Sequence, residues 1–263
     1  MRFSIVVVSL NAGDELKKTV DSVLAQSYSD YEIIVKDGGS TDGSLETLPG
    51  DRHVKLTKRA DKGIYDAMNQ AVGRVRGDYV LFLNCGDYLA DNKVLARVAK
   101  AAALSGADIL YGDLYRRQQD SVDISPGKIT DFVCYRNVPC HQVCFYSRRL
   151  FEDRAYLTKY KVRADYEHFL HCVYNRKAKC YHVPVTVCSY QGGGFSETEE
   201  HKTEAAIEHK EITEHYLGKK VLIYRFIMII TLQPLREKLA SDPKFSGIYH
   251  KIKGLIYGNK AGG

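Results

Sequence analysis

The run YVLFL, residues 79–83, stops abruptly at Asn84, Cys85, Gly86 and Asp87, and YEIIVK, residues 31–36, stops at Asp37, Gly38, Gly39 and Ser40. A carboxylate at such a place can ligate a hard cation or accept hydrogen bonds from a nucleobase or ribose. The glycines beside it let a backbone approach a ligand closely. A third segment, RADKGIYDAMNQA (59–71), offers Lys62 as a point charge for phosphate and Asp66 and Asn69 for sugar hydroxyls. Taken singly, each segment reads equally well as a glycine-rich turn, a loop lysine or an acid in the first turn of a helix. The glycine spacing after strand two is not GxGxxG, which argues against a dinucleotide-binding fold.

These segments need a scaffold that brings them together. Apolar runs at 3–9, 31–36, 53–58, 78–83 and 108–112 alternate with helical patterns at 14–26, 42–48, 63–74 and 91–104, the mark of βαβ units and a parallel sheet. Leu16, Val20, Val23 and Leu24 share one helical face, and Thr41 or Asp42 is placed to cap the short helix after strand two. In such sheets ligands bind outside the carboxyl ends of the strands, where the polar segments fall. Beyond residue 112 the alternation weakens: residues 118–132 read as a surface excursion, 141–147 and 179–190 as strands, 162–176 as a helix, and 196–217 as a charged helix behind a glycine loop. MRFSIVVVSLN runs straight into an amphipathic stretch and reads as a first strand rather than a leader.

Seven cysteines, odd in number and without a CxxC pair, fit reduced thiols in a cytoplasmic protein. The grouping of Cys140, His141, Cys144, His168, His171 and Cys172 matches no closed zinc signature. The formal charge of +6 belongs to the C-terminal part: from Gly218 onward Lys219, Lys220, Arg225, Arg236, Lys238, Lys244, Lys251, Lys253 and Lys260 face only Glu237 and Asp242. The body is near neutral, and no nucleic-acid partner is expected. VLIYRFIMIITLQPLREKL (221–239) has an apolar centre of about thirteen residues, short of the roughly twenty that span a bilayer. With basic residues around it, it suits an interfacial element on anionic lipid, and equally a helix packed on the domain or a homodimer interface.

In order along the chain, VVVSLN, IIVKDGGSTDGS, DKGIYDAMN and GDYVLFLNCGD resemble the motif series of family 2 glycosyltransferases over residues 1–195. The resemblance implies an α/β fold of GT-A type: a mostly parallel central sheet flanked by helices, with a Rossmann-like nucleotide-binding half, an acceptor half and a helical C-terminal extension. Residues 1–217 would form the catalytic domain (1–112 nucleotide-sugar-binding, 113–217 acceptor-binding) and 218–263 the basic amphipathic extension. It implies a nucleotide-diphospho-sugar donor, a UDP-sugar on family habit, with Ser9, Asn11, Asp37, Gly39 and Lys62 around the nucleotide and Asp66 and Asn84 near the donor sugar. It also implies a divalent cation, Mg2+ or Mn2+. Where many relatives carry an Asp-x-Asp-type motif this chain has NCGD, leaving Asp87 as the metal carboxylate. One carboxylate suffices for magnesium when water and substrate phosphates complete its shell. Gly38 stands where many relatives have a second Asp, and Met68 where many have Arg.

In the family a Glu-Asp pair near a helix start supplies the base. VRADYEHF retains the second acid as Asp165 with Ala164 in place of the first, and Glu167 is the runner-up. The segment PCHQVCFY resembles the border of the acceptor site and assigns His141 and Gln142, with Glu167, to it. The triple glycine at 192–194 is placed to hinge a loop over the donor. The resulting expectation is an inverting hexosyltransferase at the inner face of a bacterial cell membrane, acting on a saccharide or lipid-linked acceptor in capsule, exopolysaccharide or O-antigen assembly. The two other readings are a nucleotide-sugar-binding subunit without turnover, and a nucleotidyltransferase, for which the chain lacks an evident triphosphate loop.

Overall fold

The computed structural model describes residues 2–192 and 198–230. The chain divides into two compact units, residues 1–212 and a second beginning at Thr213.

In the first unit β1 (Phe3–Ser9), β2 (Tyr31–Asp37), β3 (Val54–Lys58) and β4 (Tyr79–Phe82) lie parallel in the order β3-β2-β1-β4. Their continuous apolar runs follow from burial on both faces: Phe3, Ile5, Val7, Ile33, Val35, Val80 and Leu81 are fully buried. The chain steps outward from β1 through β2 to β3, then returns to the other side of β1 with β4. That reversal opens a crevice at the carboxyl ends of β1 and β4, the place where such sheets bind ligands.

The connecting helices α1 (Asp14–Leu24), α2 (Ile64–Val72) and α3 (Val94–Ser105) cover the sheet. Leu16, Val20 and Val23 of α1 are buried, as their spacing requires. The helix expected at 42–48 is instead a single 3-10 turn, Leu45–Thr47. Asp42 accepts hydrogen bonds from the Ser44 N–H and hydroxyl and from Gly13 N–H, so its carboxylate folds a local turn and ties it to the start of α1 rather than capping a helix.

Beyond β4 the sheet becomes mixed. A two-residue β5 (Tyr88–Leu89) follows the NCGD turn, and β6 (Ile109–Arg116) is extended by a hairpin to β7 (Ser121–Asp123). The expected surface excursion thus contains structure: that hairpin, a 3-10 turn Arg117–Gln119, and then α4 (Asp131–Arg136), capped by the Thr130 hydroxyl oxygen. Of the strand expected at 141–147, residues His141–Val143 form a 3-10 turn and only Cys144–Ser147 pair, as β8, antiparallel to both β4 and β6. α5 (Ala164–Tyr174) and β9 (Cys180–Tyr190) follow, β9 parallel to β6 and antiparallel to β5. The whole sheet runs β3-β2-β1-β4-β8-β6-β9-β5. Its first half is parallel as expected; the second is mixed because β8 enters between β4 and β6 in the opposite sense.

α6 (Glu199–Leu217) is followed by α7 (Lys220–Ile230), which exposes Leu222, Ile223, Phe226 and Ile229. No helix among the described residues is long and apolar enough to cross a membrane. The rest of the C-terminal extension, residues 231–263, and two of the three hinge glycines, 193 and 194, lie outside the described residues.

Candidate active site

Two loops at the carboxyl ends of β1 and β2 form one wall of the crevice. Asp37 is 0 % exposed, and its carboxylate accepts hydrogen bonds from the N–H groups of Gly39 and Ser40 (both 2.8 Å) and from the Ser40 hydroxyl. It therefore folds the glycine loop from within. Asn11, at φ 50°, locks the neighbouring loop to it: Asn11 N–H donates to Ser40 Oγ, and its side-chain oxygen accepts from Thr41 N–H. Ser9 is buried beside these loops.

Lys36 is buried at the end of β2, where its ammonium donates to Asp61 (2.8 Å) and to the Arg59 carbonyl. A Cβ on Gly38 would stand 2.8 Å from the Asp61 carboxylate, so the residue at 38 must be small. Sequence reasoning missed Asp61, which brings a carboxylate from the β3 loop to the spot left empty by Gly38. Lys62 is exposed on the same loop. Asp66 accepts from Lys62 N–H and the Gln70 amide, and Asn69 pairs with both backbone groups of Tyr156, so in this structure these two side chains hold the protein's own chain.

The opposite wall is the NCGD turn. Gly86 has φ 91°, a conformation that favours glycine, and a Cβ there would displace the Gln191 side-chain amide, whose Oε1 lies 2.6 Å away. Cys85 is half-buried, its thiol pushed up to about 12 by desolvation, which keeps it protonated and a poor ligand for a hard cation. Asp87 is 4 % exposed and accepts the Gln191 N–H at 2.7 Å. Burial raises its pKa, and hydrogen bonds from Gln191 and Gln142 with the charges of Arg117 and His141 offset this only in part. Asn84 donates its N–H to Gln142 Oε1, while its own side-chain oxygen is buried without a partner.

That orphaned oxygen, one turn from the buried Asp87 carboxylate, is a donor set suited to a hard divalent cation whose remaining ligands are phosphate oxygens and water. Among the described residues no group of three or more His, Cys, Asp or Glu is placed to hold a metal. A cation here would depend on the substrate for most of its shell.

The turn His141–Val143 joins this wall to the start of α5. While Gln142 reaches the NCGD turn, His141 places Nδ1 3.0 Å from Asp165 Oδ2. A carboxylate can only accept, so the proton of that bond is on Nδ1. His141 Nε2 is buried with no partner. The Tyr65 hydroxyl lies 2.7 Å from Asp165 Oδ1 and 2.8 Å from the Val162 carbonyl oxygen, and its single proton is shared between them. Burial pushes the Asp165 carboxyl up, but the His141 hydrogen bond and charge and the Tyr65 hydroxyl outweigh it, and the pKa lies below the ordinary carboxylate value. The side chain remains 22 % exposed, so the ionised group can still be reached.

Glu167, two residues on and so on another side of α5, is 3 % exposed and is bonded through both carboxylate oxygens to one Arg154 nitrogen (2.8 and 3.0 Å). The structure thus brings Asp165, His141, Gln142, Asn84 and Asp87 into one connected constellation, and engages Glu167 elsewhere. Tyr65 belongs to the constellation too, and nothing in its spacing marks it out: a tyrosine in the first turn of a helix is ordinary core.

The model of "Glycosyl transferase family 2" matches residues 4–178 of this chain. A PGL/p-HBAD biosynthesis glycosyltransferase of Mycobacterium bovis is 34% identical over 205 residues, covering 74% of this chain and 79% of the relative. Among solved structures, S. aureus TarS 1–349 superposes with a TM-score of 0.62 at 20% identity over 73% of this chain, which spans 60% of that one. Its complex with UDP-GlcNAc gives a TM-score of 0.63 at 17% identity, over 83% of this chain and 72% of that one. The mannosyltransferase PcManGT from Pyrobaculum calidifontis, in complex with GDP-Man and Mn2+, gives 0.65 at 15% identity, over 97% and 87%. At these identities the structural likeness concerns the fold.

Proposed function

This chain belongs to glycosyl transferase family 2 and is a glycosyltransferase, and from that premise we propose an inverting transfer of a sugar from a nucleotide-diphospho-sugar to a saccharide or lipid-linked acceptor in bacterial surface-polysaccharide assembly. The observation that carries the reading is the Asp165 carboxylate held between Tyr65 and His141 yet still open to a ligand.

The nucleotide lies over the β1 and β2 ends, against Ser9, Asn11 and Gly39, on a loop whose shape Asp37 fixes from behind, with Lys62 nearby as a charge for phosphate. Asp87 and the Asn84 oxygen would hold a divalent cation, which when bound supplies positive charge to the leaving diphosphate. In the transfer the acceptor oxygen attacks the anomeric carbon from the side opposite the diphosphate, the bond to the diphosphate oxygen breaks with its electron pair, and the acceptor proton passes to Asp165. The low pKa keeps Asp165 ionised and ready at neutral pH. His141 and Tyr65 fix its orientation, and His141 Nε2 and Gln142 provide hydrogen-bonding for sugar hydroxyls at the acceptor border.

A uridine donor accords with the TarS structure bound to UDP-GlcNAc, and a guanosine donor with PcManGT bound to GDP-Man. Contact with the inner face of the membrane is supported by the exposed apolar side chains of α7 beside Lys219, Lys220 and Arg225. The decisive experiment is calorimetric titration of UDP, GDP and dTDP, with and without Mn2+, into the wild type and Asp87→Ala. Metal-dependent binding of one nucleotide, lost in the variant, is the expected result. Binding indifferent to both metal and Asp87 would overturn the assignment of the NCGD turn.

A further inference from the structure

The loop Lys159–Arg163 enters α5 immediately before Asp165, and it carries a problem of unsatisfied backbone. The residue before the helix, Arg163, supplies no side-chain cap, so the N–H groups leading into α5 need acceptors from elsewhere. They find them in one side chain on α6. Glu208 accepts the N–H of Lys161 at 2.7 Å on one carboxylate oxygen, and those of Val162 at 3.1 Å and Arg163 at 2.8 Å on the other. Glu208 is 6 % exposed. Three consecutive N–H groups converging on one buried carboxylate define the path of that backbone far more tightly than a single capping bond does.

The same helix face brings two more carboxylates to this loop. Glu211 accepts from Lys159 Nζ and the Tyr160 hydroxyl, both at 2.8 Å, and Glu204 pairs with Lys161 Nζ at 3.4 Å. Residues 204, 208 and 211 recur at helical spacing, so α6 lays a row of carboxylates along Lys159–Lys161. The outer two are partly exposed and contribute little on their own. Glu208 differs in being buried and in accepting from backbone N–H groups rather than from exposed side chains.

What this backbone does next connects it to the chemistry. The Val162 carbonyl accepts from the Tyr65 hydroxyl, the group that also faces Asp165 Oδ1. Glu208 holds the peptides on either side of Val162, Val162 sets where the Tyr65 hydroxyl lies, and Tyr65 with His141 sets the Asp165 carboxylate. We propose that Glu208 is a positioning residue for the catalytic base: through the 161–163 backbone and Tyr65 it fixes the orientation of Asp165 without touching substrate. The inference rests on the reading of Asp165 as the base. It gives α6, whose sequence reads only as a charged helix, a defined part in the reaction.

The test compares Glu208→Gln, Glu211→Gln and Asp165→Asn with the wild type. Glutamine keeps the length of the side chain but loses one acceptor atom and the charge, so Glu208→Gln should speed amide exchange at Lys161–Arg163 at least tenfold while leaving UDP or GDP affinity, whichever nucleotide binds, within twofold. Turnover of the matching UDP-N-acetylglucosamine or GDP-mannose, counted per nucleotide-binding site so that unfolded protein is excluded, should fall roughly 10–100-fold with the donor KM unchanged, the effect of a misplaced base. Glu211→Gln should leave all three unchanged. Turnover within twofold of wild type in Glu208→Gln, or a donor KM that rises in step with the loss, would overturn the positioning role, as would unchanged exchange at 161–163. The failures are separable: turnover retained in Asp165→Asn refutes the base itself, whereas turnover lost there and retained in Glu208→Gln refutes the positioning role alone.

Discussion

Replacing Asp165 by Asn separates holding the site together from doing its chemistry, and the structure sets a different magnitude for each. The amide oxygen of Asn still accepts from Tyr65, which now lies 2.7 Å from Asp165 Oδ1. Its NH2 faces the His141 nitrogen, which accepts once the imidazole proton moves to Nε2, an atom with no partner to lose. One charge-assisted hydrogen bond becomes a neutral one, a cost of about 1 kcal/mol, and a largely buried charge disappears, which offsets part of it. The melting temperature should fall by no more than about 2–4 °C, and nucleotide affinity should not change, since the Asp165 carboxylate is bonded to Tyr65 and His141 rather than to the β1 and β2 loops. Turnover should fall by roughly 10²–10⁴, the contribution of a positioned general base, equivalent to about 3–5 kcal/mol on the barrier. Phosphatase-coupled release of nucleoside diphosphate, run beside calorimetry of the nucleotide, measures both. Turnover within threefold of wild type would refute the base assignment; loss of turnover matched by loss of nucleotide affinity would show that Asp165 serves binding instead.

Asp87→Asn should stabilise the protein at neutral pH while abolishing metal-dependent nucleotide binding. Because the folded-state pKa of Asp87 is raised by burial, its charge costs stability above that pKa and the cost is relieved as pH falls through it; a lower melting temperature in the variant would contradict this. The pH profiles should separate the two carboxylates. As pH falls Asp87 takes its proton first, so kcat/KM for donor is lost at a higher pH than kcat, which needs Asp165 ionised and is lost only below the ordinary carboxylate range; a kcat limb lying above the kcat/KM limb would refute the assignment of the two roles. Removing residues 218–263 should release the protein from anionic phosphatidylserine vesicles in a flotation assay and leave nucleotide binding intact, and unchanged flotation would refute the membrane contact.

The parallel half of the sheet was legible because its information is local. β1 reads correctly over 3–9 and β2 within one residue, since strands buried on both faces leave unbroken apolar runs that end in turn formers. The candidate site turns were legible for the same reason: NCGD and DGGS stand where the apolar pattern stops. The errors lie where side chains compete with backbone. Asp42 has the composition of a helix cap, but its carboxylate is drawn across to Gly13 in another loop, and a 3-10 turn results. No reading of residues 40–48 alone contains that partner.

The site itself shows the same division more sharply. Asp165, His141, Gln142, Asn84 and Asp87 are spread over more than eighty positions, and each is individually ordinary. Their order along the chain singles them out as candidates, but the physical links between them are made by residues with no signal of their own: Tyr65 supplies a hydroxyl to Asp165 from one hundred positions away, Gln191 supplies a backbone N–H to Asp87 from one hundred and four, and Glu208 supplies a carboxylate to the backbone before Asp165 from more than forty. These groups bond to the carboxylates or to the backbone beside them. They determine which carboxylate is ionised, which is protonated more readily, and where each points. Asp165 and Asp87 are chemically identical side chains in the same crevice, yet their pKa values move in opposite directions, because one is met by an imidazole and a phenol and the other mainly by desolvation. The ionised state of the proposed base and the stability cost of the proposed cation ligand are therefore set by the surrounding fold, and substitutions at Tyr65 and Glu208, whose side chains make these links, should alter the reaction.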